Sequence, residues 1–165
     1  MSASSCRESA IGLLRVTVDR GAVTGCRLIS ADGETAAESD APSGAESELL
    51  GRAFRQIGEY LAGKRREFTL PLAPAGTAFQ RKVWRVMAAI PFGETLTYGE
   101  VARRCGVPGA ARAVGGACHA NPIVLLQPCH RVVAAAGKPG GFGAGLPLKL
   151  HLLALEGGDP SWRKK

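Results

Sequence analysis

In the stretch "IGLLRVTV" the apolar residues Leu14, Val16 and Val18 alternate with polar or smaller ones, a period of two that predicts a β-strand with one buried face. "DRGA" reads as a turn, and "VTGCRLI" as the returning strand of a hairpin. Residues 30 to 45, "SADGETAAESDAPSGA", are acidic and rich in turn formers, which predicts a loop. From Leu49 the period changes. Leu49, Leu50, Ala53, Phe54, Ile57, Tyr60 and Leu61 recur at helical spacing and stop at Gly63, as in an amphipathic helix with a glycine at its end. "KRREFTLPL" suggests a further short strand, and "APAG" marks a boundary between an amino-terminal α/β domain (1–75) and a carboxy-terminal domain (76–165).

The second domain is patterned as helices. Thr77 and Gln80 form a capping-box pair ahead of Phe79, Val83, Val86, Met87 and Ile90, and Pro91 ends that helix. Thr97 and Glu100 repeat the signature before "YGEVARRC"; "GVPG" breaks the chain, and "AARAVGGACHAN" predicts another helix stopping at Asn121-Pro122. Two short helices around a tight Gly/Pro turn make a helix-turn-helix pattern. A helix led by Pro147, "LKLHLLALEG", follows. In the second helix of the pair Ala110, Ala111, Ala113, Gly115, Gly116 and Ala117 are small, and Arg112 is the one long basic side chain. Small residues let a helix approach a nucleic-acid groove closely, and a lone arginine can reach into it. Close helix packing inside the protein explains the same residues equally well.

Charge sharpens the first of these alternatives. Of the 21 Lys/Arg and 14 Asp/Glu, residues 1–75 hold 9 and 10, whereas residues 76–165 hold 12 and 4, so the formal net charge of +7 is carried by the second domain. Such a half is a candidate polyanion binder, although a solubilising surface has the same composition. Apolar content of 45% in 165 residues suits a globular protein, and no apolar stretch approaches the roughly 18 to 20 residues that span a bilayer. Five cysteines without regular spacing, and no signal-peptide pattern at the start, lead to the expectation of a reduced intracellular protein.

The chemistry concentrates in "PCHRV", residues 128–132, after the apolar run "IVLLQ". A cysteine reacts as its thiolate, and with a free pKa of about 8.5 it needs a base or a positive environment, which His130 and Arg131 supply beside Cys129. Buried cysteines are commonly inert, and neighbouring side chains diverge, so the pair needs a third group. Glu156 is an available carboxylate among four acids of this half. His119, His130 and His151 with no C-x-x-C pair give a structural zinc site no support, and neither a metal nor another cofactor is expected.

"GTAFQRKVW", "IPFGETLTYGEVA", "RAVGGACHANP", "PCHRVV" and "LLALEG" occur in the order and spacing of the O6-alkylguanine-DNA alkyltransferases, and the chain resembles that family closely over about residues 76–157. "YLAGKRREFTLPL" is similar to the family's domain junction, whereas residues 1–50 match only in general layout. The resemblance implies that Cys129 takes an alkyl group from O6 of guanine in DNA and keeps it. It implies that His130 acts as base through a water, that Glu156 orients His130, and that Asn121 holds the turn placing the cysteine. Tyr98 is then expected to contact the flipped nucleotide and help protonate the leaving guanine, and Arg112 to fill the vacated space. Ala111, Gly115 and Arg131 join Arg112 and Tyr98 as expected DNA contacts in the minor groove, and Val132, Phe142 and Gly143 are expected to line the guanine pocket. Many family members have tyrosine and serine where this chain has Phe142 and Gly143, which bears on alkyl-group preference. Relatives that bind damage without repairing it lack the cysteine, so Cys129 speaks against that role.

The expected architecture is thus α/β: a small ribonuclease H-like sheet-and-helix domain, then a helical, winged-helix-like domain with the helix-turn-helix. The expected function is direct, stoichiometric reversal of O6-alkylguanine damage, with O4-alkylthymine a further substrate to test. The expected partner is double-stranded alkylated DNA, with no membrane and no obligate protein partner. The expected location is the cytoplasm and nucleoid of a prokaryote or the nucleus of a eukaryote. A DNA-binding regulator without transfer chemistry and a Cys-His hydrolase are the rivals, and the sequence offers the hydrolase no oxyanion-hole signature.

Overall fold

The computed structural model describes residues 2–29, 43–135, 140 and 145–157. Its contacts divide the chain into two compact units, Met1–Ala75 with Pro122–Leu126, and Gly76–Asn121 with Gln127–Lys165.

Among the described residues, the first unit is a three-stranded antiparallel meander with one helix. Strands β1 (Ser2–Ser9), β2 (Gly12–Asp19) and β3 (Ala22–Leu28) lie in the order β1-β2-β3. Leu14, Val16 and Val18 are fully buried, as their alternation predicts. Asp19 pairs with Ala22 across Arg20 (φ 49°) and Gly21 (φ 80°), and positive φ at both central residues is the turn whose twist matches a hairpin. β1, "SASSCRES", has no apolar alternation and escapes a pattern search; its backbone pairing along β2 makes it a strand.

Helix α1 (Gly44–Leu61) begins earlier than its apolar stripe suggests. The Ser43 hydroxyl accepts from the Glu46 amide at 3.2 Å and the Glu46 carboxylate accepts from the Ser43 amide at 3.4 Å, a reciprocal cap at the end of the predicted loop. The rest of that loop, residues 30–42, lies outside the described residues. The helix lays Leu50, Ala53, Ile57 and Tyr60 inward.

The strand expected in "KRREFTLPL" is corrected to extended chain with a single parallel bridge, Leu72 to Val23. The Val23 amide bonds the Pro71 carbonyl at 2.8 Å and the Ala73 amide bonds the Val23 carbonyl at 2.9 Å, but Pro71 has no N–H with which to extend a ladder. Further along β3, Cys26 bridges Ile123 in the same way.

The second unit holds α2 (Ala78–Ala88), β4 (Leu96–Thr97), α3 (Tyr98–Arg104), α4 (Ala111–His119), a 3-10 turn (Cys129–Arg131), β5 (Val132–Val133) and α5 (Leu146–Glu156). Both predicted capping boxes are present, Thr77 with Gln80 and Thr97 with Glu100. α3 and α4 are joined through Gly106 (φ 78°) and Gly109 (φ 88°), conformations that favour glycine. One core unites α2, α3 and α4 with the 3-10 turn and β5: Val83, Trp84, Met87, Val101, Ala102, Val114, Ala117, Cys129 and Val132 pack together. The Trp84 indole donates to the Ala117 carbonyl at 2.9 Å and so ties α2 to α4. Leu96 and Thr97 pair in parallel with Val132 and Val133, a two-residue ladder too short to be seen in the sequence.

Candidate functional site

The run before Cys129 is buried, and Leu125 within it holds φ 73°, a left-handed conformation that costs a branched residue about 1 to 2 kcal/mol. The ends of the run are clamped by paired amides. Asn121 Nδ2 donates to the Gln127 carbonyl at 3.0 Å, and Gln127 Nε2 donates to Asn121 Oδ1 at 2.7 Å. The chain then turns sharply, with the Cys129 amide on the Gln127 carbonyl (2.8 Å) and the Arg131 amide on the Pro128 carbonyl (3.0 Å). In a 3-10 turn successive side chains diverge by about a third of a revolution. Cys129, His130 and Arg131, all buried, therefore face different neighbours.

Two of these neighbours converge on Glu156, at the end of α5. His130 Nε2 lies 2.7 Å from Glu156 Oε2. Arg131 grips the same carboxylate with Nε on Oε1 and Nη2 on Oε2, both at 2.9 Å, while its Nη1 donates to the Ile90 carbonyl at 2.8 Å. The Gly93 amide adds a bond of 3.3 Å to Oε1. An ionised Glu156 accepts from Nε2–H, which makes Nδ1 the basic nitrogen of a neutral ring. Burial lowers the His130 pKa below the ordinary value of 6.5; Glu156 opposes that shift and the charges of Arg131 and Lys149 add to it. The expectation that Arg131 contacts DNA is corrected: its guanidinium is inside the fold, spent on Glu156 and a carbonyl.

Burial also raises the Cys129 pKa, and the Asn121 side chain, the Lys149 charge and backbone hydrogen bonds pull it back in part. The resting pair is therefore a thiol and a neutral imidazole rather than an ion pair.

Lys149 is the site residue that sequence reasoning missed. It is fully buried, its Nζ donates to the Val132 carbonyl at 2.7 Å, and it stands 5.8 Å from the centre of the Tyr98 ring. Burial brings its pKa down to about 8, against the opposing influence of Cys129 and Cys118. The signal was available: Lys149, Leu152, Leu153 and Glu156 follow one another at helical spacing and all four are buried, so the lysine and the glutamate share the inward stripe of α5.

Tyr98, the first residue of α3, is enclosed by two glycines. A Cβ at Gly115 of α4 would stand 4.0 Å from Tyr98 Cε1. A Cβ at Gly140 (φ 78°) would stand 2.8 Å from Tyr98 Oη and 2.9 Å from Cε2, closer than carbon contacts allow. Val132 is buried, its amide bonded to the Cys129 carbonyl and its carbonyl accepting from Lys149 Nζ. Phe142 and Gly143 lie outside the described residues.

On α4, Val114 and Ala117 face the core, Ala111 and Gly115 are half-buried, and Arg112, Ala113, Gly116 and His119 are exposed. A Cβ at Gly116 would meet nothing within 4 Å. Internal packing therefore does not require glycine there, which removes the alternative explanation for that position and leaves an open small-residue surface carrying Arg112.

The fold and site define a class: a two-unit α/β protein with a buried cysteine beside a buried histidine–carboxylate pair in the unit that carries a two-helix surface. Known proteins of this class were found by comparison. Residues 78–158 match the family described as 6-O-methylguanine DNA methyltransferase, DNA binding domain, and residues 22–74 match its ribonuclease-like domain. A methylated-DNA–protein-cysteine methyltransferase of Mycolicibacterium paratuberculosis is 44% identical over 149 residues, 90% of this chain and 88% of the relative. One from Methanosarcina acetivorans is 50% identical over 110 residues, 67% of this chain and 70% of the relative. The crystal structure of Mycobacterium tuberculosis OGT in complex with DNA superposes with a TM-score of 0.80 at 40% identity, over 92% of this chain and 90% of that one. The chain belongs to the 6-O-methylguanine-DNA methyltransferase family, with the fold expected from its sequence.

Proposed function

We propose that the protein repairs DNA by moving an alkyl group from O6 of guanine onto Cys129, in a single irreversible turnover. The observation that carries this reading is the buried His130–Glu156 pair, next in sequence to buried Cys129 and in one unit with the open surface of α4. The neutral ring of His130 takes the thiol proton through a water, and the resulting imidazolium is balanced by Glu156, which Arg131 grips and orients. The thiolate attacks the alkyl carbon, the C–O bond breaks as the C–S bond forms, and Tyr98 helps to protonate the departing purine. A thioether has no easy route back, so the protein is consumed.

Guanine in a duplex hides its O6, and the nucleotide has to be turned out at a cost of a few kcal/mol. In this reading α4 enters the minor groove, and exposed Arg112 occupies the space the base leaves. The decisive experiment is intact mass after incubation with duplex DNA containing O6-methylguanine, followed by fragmentation of the peptide Ala113–Arg131. One added methyl on Cys129 is expected. Cys129→Ser should bind the duplex and transfer nothing, and transfer that persists in that variant refutes the assignment.

A further inference from the structure

The second unit uses its charged groups unevenly. Among its described carboxylates, Glu156 is buried under His130 and Arg131 and Glu100 accepts from the Thr97 amide, which leaves Glu94 exposed. Six exposed cations face that one acid: Arg81, Lys82 and Arg85 on α2, Arg103 and Arg104 on α3, and Arg112 on α4. Arg103 and Arg104 have a local reason, because they lie in the last turn of α3, where the negative end of the helix dipole favours a cation. Arg112 is the side chain proposed to fill the vacated stack. Arg81 and Lys82 have neither reason. They stand in the amino-terminal half of α2, a helix with no acid in its sequence. Arg85 follows them by four and three residues, so the three cations share one flank, where like charges at this spacing weaken the helix. Among the described residues none of the three side chains makes a hydrogen bond or an ion pair. In the first unit arginines are tied into the fold: Arg52 donates to the Thr69 carbonyl at 2.8 Å, Arg65 to Glu59 at 2.9 Å, and Arg7 lies 4.7 Å over the Phe54 ring.

We propose that this flank of α2 is a second phosphate-binding surface, which holds the backbone of the same duplex that α4 enters. The opposite side of α2 is spent on the core through Val83, Trp84 and Met87, and the Trp84 indole, next to Arg85, ties the helix to the Ala117 carbonyl of α4. Packed helices have axes about 8 to 10 Å apart, and duplex DNA carries a charge for about every 1.7 Å of its length. A duplex seated on α4 therefore brings several phosphates beside α2. Ala88 and Ala89, exposed one turn beyond Arg85, leave that approach unobstructed. Contacts to phosphates carry no sequence information, which suits a protein that has to hold damage in any sequence. The repulsion among the three cations is relieved when the backbone docks.

The proposal rests on the reading of the protein as one that acts on duplex DNA, but it is tested by binding to undamaged duplex, apart from transfer. In the triple variant Arg81→Gln, Lys82→Gln, Arg85→Gln, the slope of log affinity against log salt concentration is expected to become shallower by about 2 to 3, one counterion for each lost contact. Each single substitution should account for about 1 of that change, and Arg81→Lys with Arg85→Lys should keep the wild-type slope. A control that takes three exposed cations from the first unit, Arg20→Gln with Arg55→Gln and Lys64→Gln, alters net charge equally and should shift the slope by less than about 1. Single phosphates of the duplex replaced by uncharged methylphosphonates should include positions that weaken the wild type about threefold or more and leave the triple variant unaffected. An unchanged slope in the triple variant, an equal change in the control, or a second duplex bound by each wild-type protein and lost in the triple variant overturns the proposal. A protein that gives one of these results yet takes a methyl on Cys129 loses this surface and keeps its repair function; one that takes no methyl loses the repair reading whatever its slope.

Discussion

Burial acts in opposite senses on the two groups that exchange the proton, raising Cys129 and lowering His130, so the site rests neutral and separates charge only during reaction. The direction fixes a pH dependence. Because the His130 pKa is below 6.5, the ring stays unprotonated and able to act as base as the pH falls through that value. Single-turnover rates measured from about pH 8 to pH 5 should show no inflection at 6.5 and should fall only below it. The unfolded chain does take up a proton near 6.5, so stability lost as the pH drops from that value toward the folded pKa is the linked effect. An inflection in rate at 6.5 or above contradicts the assignment of His130 as base. Gly140 permits a second test at this scale. A methyl at this position would overlap Tyr98 Oη and would itself sit at φ 78°. Gly140→Ala should slow transfer by about 10- to 100-fold through displacement of the Tyr98 ring, with a stability loss of about 1 to 2 kcal/mol. A lowered melting temperature with an unchanged rate means that Tyr98 has no part in the reaction.

Among the elements, α4 carries the DNA-facing proposal, and its single exposed arginine makes the test clean. Arg112→Ala should reduce repair of duplex DNA at least about tenfold while leaving reaction with free O6-methylguanine base within about twofold, because only the duplex requires extrusion. Equal losses on both substrates would assign Arg112 to the fold. Elements with a local cause were legible in the sequence: the period-two run of β2, and the capping boxes of α2 and α3, whose signals lie within four residues. Elements with a distant cause were not. β1 is polar and becomes a strand only by pairing with β2, and the β4–β5 ladder joins residues 36 apart, Leu96 with Val132. The start of α1 was legible and overlooked, since Ser43 and Glu46 are a capping box written in the loop. In the site, the Cys–His–Glu set could be named from motifs. The placement of Arg131 could not, because a guanidinium beside a histidine reads as a surface charge until Glu156 is brought to it from 25 residues away.

At the scale of the whole molecule, the segment that leads to the acceptor cysteine runs through both units. Asn121 and Cys129 belong to the second, while Pro122–Leu126 belongs to the first, where the Cys26 amide bonds the Pro122 carbonyl and the Val124 amide bonds the Cys26 carbonyl, both at 2.9 Å. Cys129 is only 5% exposed and packs with Met87, Ala117 and Val132. A methyl on its sulfur adds volume to a filled region and crowds the hydrogen bond between that sulfur and the Asn121 side chain. Overpacking alone costs about 1 to 3 kcal/mol, and a weakened buried hydrogen bond adds a comparable amount. The alkylated protein should therefore be less stable than the free one, with a melting temperature lower by roughly 2 to 4 °C for each kcal/mol lost in a chain of this size. The loss should be centred on the last turn of α4 and the Asn121–Gln127 clamp, and amide exchange at Val124 should report whether it passes along the backbone into the first unit. Since α4 is also the proposed DNA surface, loosening of its last turn would help the spent protein to leave its substrate. Thermal unfolding and amide exchange of free and methylated protein, compared without DNA, decide the matter: an unchanged melting temperature with unchanged protection from Arg112 to Asn121 rules it out.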